Sequence, residues 1–211
     1  MKESFISRQT LERLPAYLNY LKSLPSNEFV NVSATYIANA MGLNHVQVRK
    51  DLAQVSTKGR PKLGYVTSEL IDDIKKFLGY NKLNDAVLVG VGKLGGALLA
   101  YTGFAEYGFN IVAGFDCDKN IIGTEISGKK ILPMDKLKSL CSQKKIHLAI
   151  ITVPESSAQN ICDILIDCGI TGILNFAPTH LNVPKNILVQ HENLALCLAV
   201  LSKHLSKYQK I

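Results

Sequence analysis

Ala86-Val87-Leu88-Val89-Gly90-Val91-Gly92-Lys93-Leu94-Gly95-Gly96-Ala97-Leu98-Leu99 is the stretch that decides the fold. A four-residue apolar run reads as a buried strand. It meets Gly-x-Gly-x-x-Gly and then a helix-forming segment, the context that a dinucleotide fingerprint requires. Gly90 would make the tight turn, Gly92 would let a pyrophosphate approach the backbone, and Gly95 would allow close packing of helix on strand. The phosphates are expected on the free N–H groups and positive dipole end of the following helix, with Val91, Lys93 and Leu94 completing the loop. More than eighty residues precede this motif, and what they do decides the function.

Downstream, Asn110-Ile111-Val112-Ala113-Gly114-Phe115-Asp116 reads as a second strand ending in an acid. Asp116 lies 21 residues past Gly95, about the distance at which a carboxylate meets the adenosine ribose hydroxyls. A carboxylate there repels a 2′-phosphate, which favours NAD(H) over NADP(H); Asp118 is the fallback, and Lys119 weighs slightly against. The α/β alternation continues with a strand over 147–154 and a helix over 157–168, capped by Ser156 and ended by Gly169. A strand and exit loop over 172–178 and a last strand over 187–190 follow. The loops carrying Val153, Pro154, Asn175 and Phe176 fall at the carboxyl edge of the sheet, where cofactors bind in such folds. From Leu194 to Leu205, Leu194, Leu198, Leu201 and Leu205 form a stripe, with further apolar bulk between them. A helix this apolar needs a partner surface, and a homodimer that buries it is expected.

The residues before the motif carry a different signature. Ser33 reads as the N-cap of a helix over 34–41, Gly42 as its left-handed terminator, and Asn44 as the cap of a second helix running to about Val55. Gln47 at the third helical position is expected to complete a capping box. Val48, Leu52 and Val55 form the apolar stripe of that helix. Two short helices joined by a Gly-containing turn make a helix-turn-helix. Gln47, Lys50 and Gln54 fall opposite the stripe, with Arg49 beside them and Ser33, Asn44 and His45 at the helix starts. Gln can read adenine, Arg guanine, and Lys can neutralise phosphate. Thr57-Lys58-Gly59-Arg60-Pro61-Lys62-Leu63-Gly64-Tyr65-Val66 then reads as a basic hairpin, a wing placed for phosphates or the minor groove. Ser68, Glu69, Asp72 and Asp73 open a closing helix, with Lys75 and Lys76 near its end. Near the N-terminus Leu11, Leu14, Leu18 and Leu21 have helical spacing, and Pro15 predicts a kink there or a helix start close by. The chain thus divides into a winged-helix domain (1–80), a Rossmann-like domain (84–192) and a C-terminal dimerisation helix (193–211).

The charge distribution agrees with that division. Net charge is +7 over 211 residues, and the first 84 carry 12 Lys/Arg against 7 Asp/Glu, an electrostatic footprint for nucleic acid. Apolar content of 47% without a long apolar run excludes a membrane span, and no secretion signal is read at the N-terminus. Five cysteines show no Cys-x-x-Cys and no zinc spacing, so neither a metal site nor a disulfide framework is expected, and a reducing cytoplasm is. Cys117 lies beside the ribose site as a thiol-sensor candidate; the plainer reading is a small buried apolar residue.

Two other readings compete. An NAD-dependent dehydrogenase needs a general acid/base, but His147, His180 and His191 have no acid at a telling spacing. About twenty residues after the Rossmann unit are too few for a substrate domain. Alternatively, the chain is a DNA-binding module whose glycine loop is only a turn, against which the strand context and Asp116 argue.

Several motifs share one order: Arg13-Leu14-Pro15 with Tyr17, Gln47-Val48-Arg49-Lys50-Asp51-Leu52, Gly64-Tyr65, the glycine loop at 90–95, and Tyr101 with Gly103-Phe104. Phe115-Asp116-x-Asp118, Thr152-Val153-Pro154 and Gly172-Ile173-Leu174-Asn175-Phe176-Ala177-Pro178 continue it. In that order the chain resembles the Rex family of bacterial redox-sensing transcriptional repressors over nearly its whole length. The resemblance implies a homodimer with a domain-swapped C-terminal helix, bound to palindromic operator DNA and sensing NADH/NAD+. NADH would close the Rossmann domains, splay the recognition helices and weaken DNA binding, while NAD+ would compete without doing so; catalysis is not implied. In the family pattern an Arg, an Asp and a Tyr make switch contacts between domains and subunits. Here the positions read Asn19, Asn193 and Tyr101, so the resemblance also implies a weakened or rewired NADH response.

Overall fold

Leu14, Tyr17, Leu18 and Leu21 share one face of the first helix, α1 (Arg8–Ser23), and are buried, whereas Leu11 is exposed. The Ser7 hydroxyl accepts the Thr10 N–H and starts the helix, and Pro15 lies in its interior. The start is therefore set by the Ser7 cap, and of the two expectations at Pro15, a kink or a nearby helix start, the second does not hold. The carbonyl that Pro15 leaves unbonded belongs to Leu11, on the exposed side where water can serve it. The structure, a computed structural model, describes residues 6–25 and 27–208. It divides into two units between Lys82 and Leu83.

In the first unit, α2 (Ala34–Met41) begins at Ser33, whose side chain accepts the Tyr36 N–H, and ends at Gly42 with φ +65°. Helix α3 (His45–Val55) begins at Asn44, whose Oδ1 accepts from both Val46 N and Gln47 N. Strands β1 (Asn31–Val32) and β2 (Tyr65–Val66) pair antiparallel, and α4 (Thr67–Phe77) follows. One core joins Leu14, Tyr17, Leu18, Leu21, Ile37, Val48, Leu52, Leu70 and Ile74.

Within that core sits an acid. Asp51 of α3 is fully buried and accepts five hydrogen bonds. Its Oδ2 receives Arg13 Nε at 2.7 Å and the Tyr17 hydroxyl at 2.8 Å. Its Oδ1 receives Arg13 Nη2 at 3.0 Å, Thr10 Oγ1 at 3.1 Å and Gln47 Nε2 at 2.9 Å. Burial pushes the Asp51 carboxyl up, but the bonds from Arg13, Tyr17, Gln47 and Thr10 outweigh it and hold the group below its ordinary range. The same burial, with the bond to Asp51, pushes the Tyr17 hydroxyl up to about 12.

The second unit is a doubly wound sheet. Its seven strands are β3 (Asn84–Val89), β4 (Phe109–Asp116), β5 (Glu125–Ile126), β6 (Lys129–Pro133), β7 (Leu148–Ile151), β8 (Gly172–Asn175) and β9 (Leu188–His191), ordered β5-β6-β4-β3-β7-β8-β9. All pair in parallel except the β5–β6 hairpin. Helices α6 (Leu137–Lys144) and α7 (Glu155–Asp167) cover one face through Leu137, Cys141, Ala158, Cys162 and Leu165. Helix α5 (Lys93–Ala100) covers the other through Leu99, over Leu88, Ile111 and Ile150. Helix α7 starts at Pro154 without a side-chain cap, so Ser156 is not the cap that its position implied. Helix α8 (Leu194–Tyr208) leaves Leu194, Leu196, Leu198, Val200, Leu201 and Leu205 at least half exposed.

The raised ionisation of Tyr17 fixes a sign. Because its folded value lies above the ordinary 10.0, its contribution is whole below about pH 10 and is lost as pH rises to about 12. Tyr17→Phe should cost about 1.5–3 kcal/mol at pH 7. The gap to the wild type should then narrow by on the order of 2–3 kcal/mol across that alkaline window. Urea denaturation against pH reads both; a gap independent of pH would contradict the assignment.

Candidate functional site

Order reverses between β3 and β7, because consecutive connections leave the sheet toward opposite edges, and the carboxyl ends of the strands open there into a crevice. A cleft of about 770 Å³ occupies it, lined by Gly90, Gly92, Leu94, Asp116, Val153, Pro154 and Phe176 among the expected residues. Gly90 has φ +97°, and a Cβ there would approach the Thr152 carbonyl carbon to 2.8 Å. A Cβ on Gly95 would overlap the Gly90 carbonyl oxygen, so α5 can start this close only without a side chain. At Gly92 a Cβ would meet no protein atom within 4 Å. Its open side is the space a phosphate would take, beside the unbonded N–H groups of the first turn of α5.

Asp116 ends β4, its Oδ2 accepting Val91 N at 2.6 Å and its Oδ1 accepting Cys117 N at 2.7 Å and Asp118 N at 2.9 Å. The carboxylate thus fixes the loop while remaining on the cleft wall. Asp118 bonds Asn120 instead. Thr152 Oγ1 donates to the Gly90 carbonyl at 2.6 Å, tying the far side of the turn to β7.

Other expected residues lie elsewhere. Val91 is buried beneath the loop with only its N–H used, Gly95 is packed below it, and Lys93 is exposed; none is on the cleft wall. Asn175 is buried behind the wall: its amide donates to the Ala177 and Thr179 carbonyls and contacts His191 Nδ1, and its Oδ1 accepts Ala177 N. It shapes the loop that carries Phe176. Tyr101 is exposed at the end of α5 in an edge contact with Phe104. Asn193 Oδ1 accepts Leu196 N at 2.9 Å and caps α8, and Asn19 is exposed on α1. Met134, Cys117, Thr152, Ser157, Asn160, Ile161 and Ile164 also line the cleft. The spacing of 157, 160, 161 and 164 marks one helix face, a signal the sequence does contain.

In the first unit, His45, Gln47, Arg49, Lys50 and Gln54 are all exposed on α3. Ser33 and Asn44 present caps, and Gln47 bonds Asp51 rather than forming the expected capping box. The wing forms through paired bonds between Arg60 and Gly64, with Lys62 at φ +65° in the turn. Arg60 and Lys62 are exposed at its tip. Lys58 takes ion pairs that the sequence does not show: its Nζ lies 3.0 Å from Asp73 Oδ1 and 3.8 Å from Glu69. Ser56 also donates to Asp73. Burial pushes the Asp73 carboxyl up, but these bonds outweigh it and hold it low, while the bond to Asp73 raises the Lys58 ammonium. Lys58 braces the wing against α4.

A family model described as "CoA binding domain" matches residues 81–179, and one described as "Putative DNA-binding protein N-terminus" matches residues 5–53. The redox-sensing transcriptional repressor Rex of Carboxydothermus hydrogenoformans is 42% identical, covering 96% of this chain and 97% of its own. That of Treponema denticola is 39% identical, covering 95% of each. The chain belongs to the Rex family of redox-sensing transcriptional repressors. Among solved structures, the Rex-family repressor RSP in complex with β-NAD+ and operator DNA aligns with a TM-score of 0.91 at 29% identity, covering 98% of this chain and 95% of that one. RSP with β-NADH aligns at 0.86 and 29%, covering 98% and 97%. Among the described residues of this Rex-family chain, no helix is long and apolar enough to cross a membrane, and no three His, Cys, Asp or Glu side chains gather to hold a metal.

Two outcomes follow from the geometry. Gly92→Ala should fold like the wild type yet lose about tenfold or more in NADH affinity by fluorescence, since its methyl group enters only ligand space. Gly95→Ala should instead lower the melting temperature; unchanged NADH binding by Gly92→Ala would contradict the placement. In operator titrations against salt, Arg60→Ala should reduce the slope by about 0.9. Lys58→Ala should leave it nearly unchanged, and an equal fall for both would refute the bracing role.

Proposed function

We propose that the chain binds palindromic operator DNA as a homodimer through α3 and the wing, and that NADH in the Rossmann cleft weakens that binding. The observation that carries this reading is the cleft itself, with Gly92 open, the start of α5 at its floor and Asp116 on its wall. It occurs in the same chain as an exposed basic recognition helix. The RSP complexes hold β-NAD+ with operator DNA and β-NADH, the ligands this arrangement suits. A carboxylate at the ribose position disfavours ligands phosphorylated on that ribose, which sets NAD(H) above NADP(H) and above coenzyme A. Met134, Ile161 and Ile164 supply an apolar slot beside Asp116 for the adenine ring, and Gly90, Gly92 and the first turn of α5 would hold the pyrophosphate. The nicotinamide would lie toward Phe176.

Dimerisation follows from α8. Its row of exposed leucines is of a kind that monomers rarely leave in water, and a second copy is the partner that the resemblance implies for it. Five free cysteines suit a reducing cytoplasm. A second reading concerns the switch alone. Asn193 caps α8 as a neutral side chain and Asn19 is neutral on α1, so the charge that the family pattern places at both positions is missing. On that reading DNA and nucleotide binding persist while NADH releases DNA weakly.

Electrophoretic shift on a palindromic operator decides between them. A shift without nucleotide and with NAD+, abolished by NADH, is the expected result. A shift that persists at saturating NADH supports the second reading, and no shift under any condition overturns both. Light scattering should give twice the 23.1 kDa chain mass; a monomer at micromolar concentration would rule out the dimer.

A further inference from the structure

Asp51 has more hydrogen bonds than its burial requires. A carboxylate offers about four lone-pair sites, and Arg13 Nε and Nη2, the Tyr17 hydroxyl and Thr10 Oγ1, all from α1, already meet them. The fifth donor, Gln47 Nε2 at 2.9 Å, comes from an exposed residue one turn earlier on α3. Its effect falls on Gln47. The carboxylate admits only the NH2 end of the amide, because the carbonyl end would set oxygen against oxygen. One N–H is held inward, and the carbonyl oxygen with the second N–H faces solvent. That pair complements the major-groove edge of adenine, which shows one acceptor at N7 and one donor at N6.

We propose that the pair of the buried Asp51 with the half-buried Arg13 is a specificity device: it locks the carboxamide of Gln47 in the orientation that accepts adenine and rejects guanine. Guanine shows two acceptors, N7 and O6. A freely turning Gln can swing its NH2 end to meet them, whereas the locked amide places its carbonyl oxygen against O6. Arg13 and Asp51 are positioning residues and do not touch the DNA. Pre-organisation of this kind also spares the rotamer freedom that an unrestrained Gln loses on binding. The inference rests on the reading of α3 as the recognition helix.

The test is competition binding by the full-length protein to operator duplexes carrying A·T to G·C swaps one position at a time. Wild type should show one position per half-site where the swap costs about five- to 150-fold, and Gln47→Ala should flatten it. Asp51→Asn lets either end of the Gln47 amide face inward. It should cut that one preference about fivefold or more, with the salt slope and all other positional preferences unchanged, a pattern that loss of fold would not give. A folded Asp51→Asn protein with full discrimination overturns the proposal. If Arg49→Ala relaxes a position while Gln47→Ala relaxes none, the proposal falls and the recognition helix stands. If no α3 variant relaxes any position, the recognition helix itself is wrong. Should Asp51→Asn fail to fold, NMR relaxation of the Gln47 side-chain amide in the wild type decides. An order parameter near about 0.85 supports the lock, and one below about 0.6 overturns it.

Discussion

The approach of α5 to the Gly90 turn leaves no room for a Cβ at Gly95, which would run into the Gly90 carbonyl oxygen and sit 2.8 Å from Thr152 Oγ1. That absence of one methyl group positions everything at the carboxyl edge of the sheet. It brings the first turn of α5, with its unbonded N–H groups, directly over the crevice between β3 and β7. Two side chains then fix the turn from either side, Thr152 just past the end of β7 and Asp116 at the end of β4. Three neighbouring strands are joined through one short loop. A dinucleotide in the crevice would therefore meet the loop already shaped, and little binding energy would go into ordering it.

Features that depend on the local backbone were legible in the sequence. Gly90, Gly92 and Gly95 announce a turn that other residues cannot make, and Ser33, Gly42 and Asn44 mark helix ends by chemistry within three residues of each end. Features that depend on distant partners were not. Asp51 reads as one acid on the polar side of a basic helix, but its donors Thr10, Arg13 and Tyr17 lie 34 to 41 residues earlier. Asn175 sits where a cofactor loop is expected, yet its amide turns back to hold residues 177 and 179. Lys58 reads as a phosphate contact, and the ion pair that α4 gives it through Asp73 is not visible in the sequence. The β5–β6 hairpin and α6 give no strong periodic signal, and tertiary packing settles them.

The winged unit shows how a basic surface is made from a mixed sequence. Asp51 turns inward to Arg13, and Asp73 turns toward Ser56 and Lys58. Two acids that would have opposed a phosphate backbone are thereby consumed. Arg49, Lys50, Arg60 and Lys62 remain exposed and make no ion pair with another described residue. Arg13 and Lys58 are the cations that match these acids, so the net charge is unchanged, while its unpaired positive part stays on the exposed side chains.

Each unit keeps its own core, around Leu18 and Leu52 in one and on both faces of the sheet in the other. A nucleotide in the cleft can therefore alter DNA affinity only through whatever distinguishes one arrangement of the units from another, and only by its own difference in affinity for the two. Asn193 bears on that difference. Its Oδ1 holds the Leu196 N–H, the service that an Asp would also perform at a helix start. What an Asn omits is the charge, and with it the attraction to the helix dipole and to any cation opposite. On the reading that gives position 193 a switch contact, an Asn there would keep α8 initiated while omitting the electrostatic part of the coupling. Because Asn19 is also neutral, no charge at either position is left seeking a partner, and on the same reading capping and switching would be separable properties of one residue.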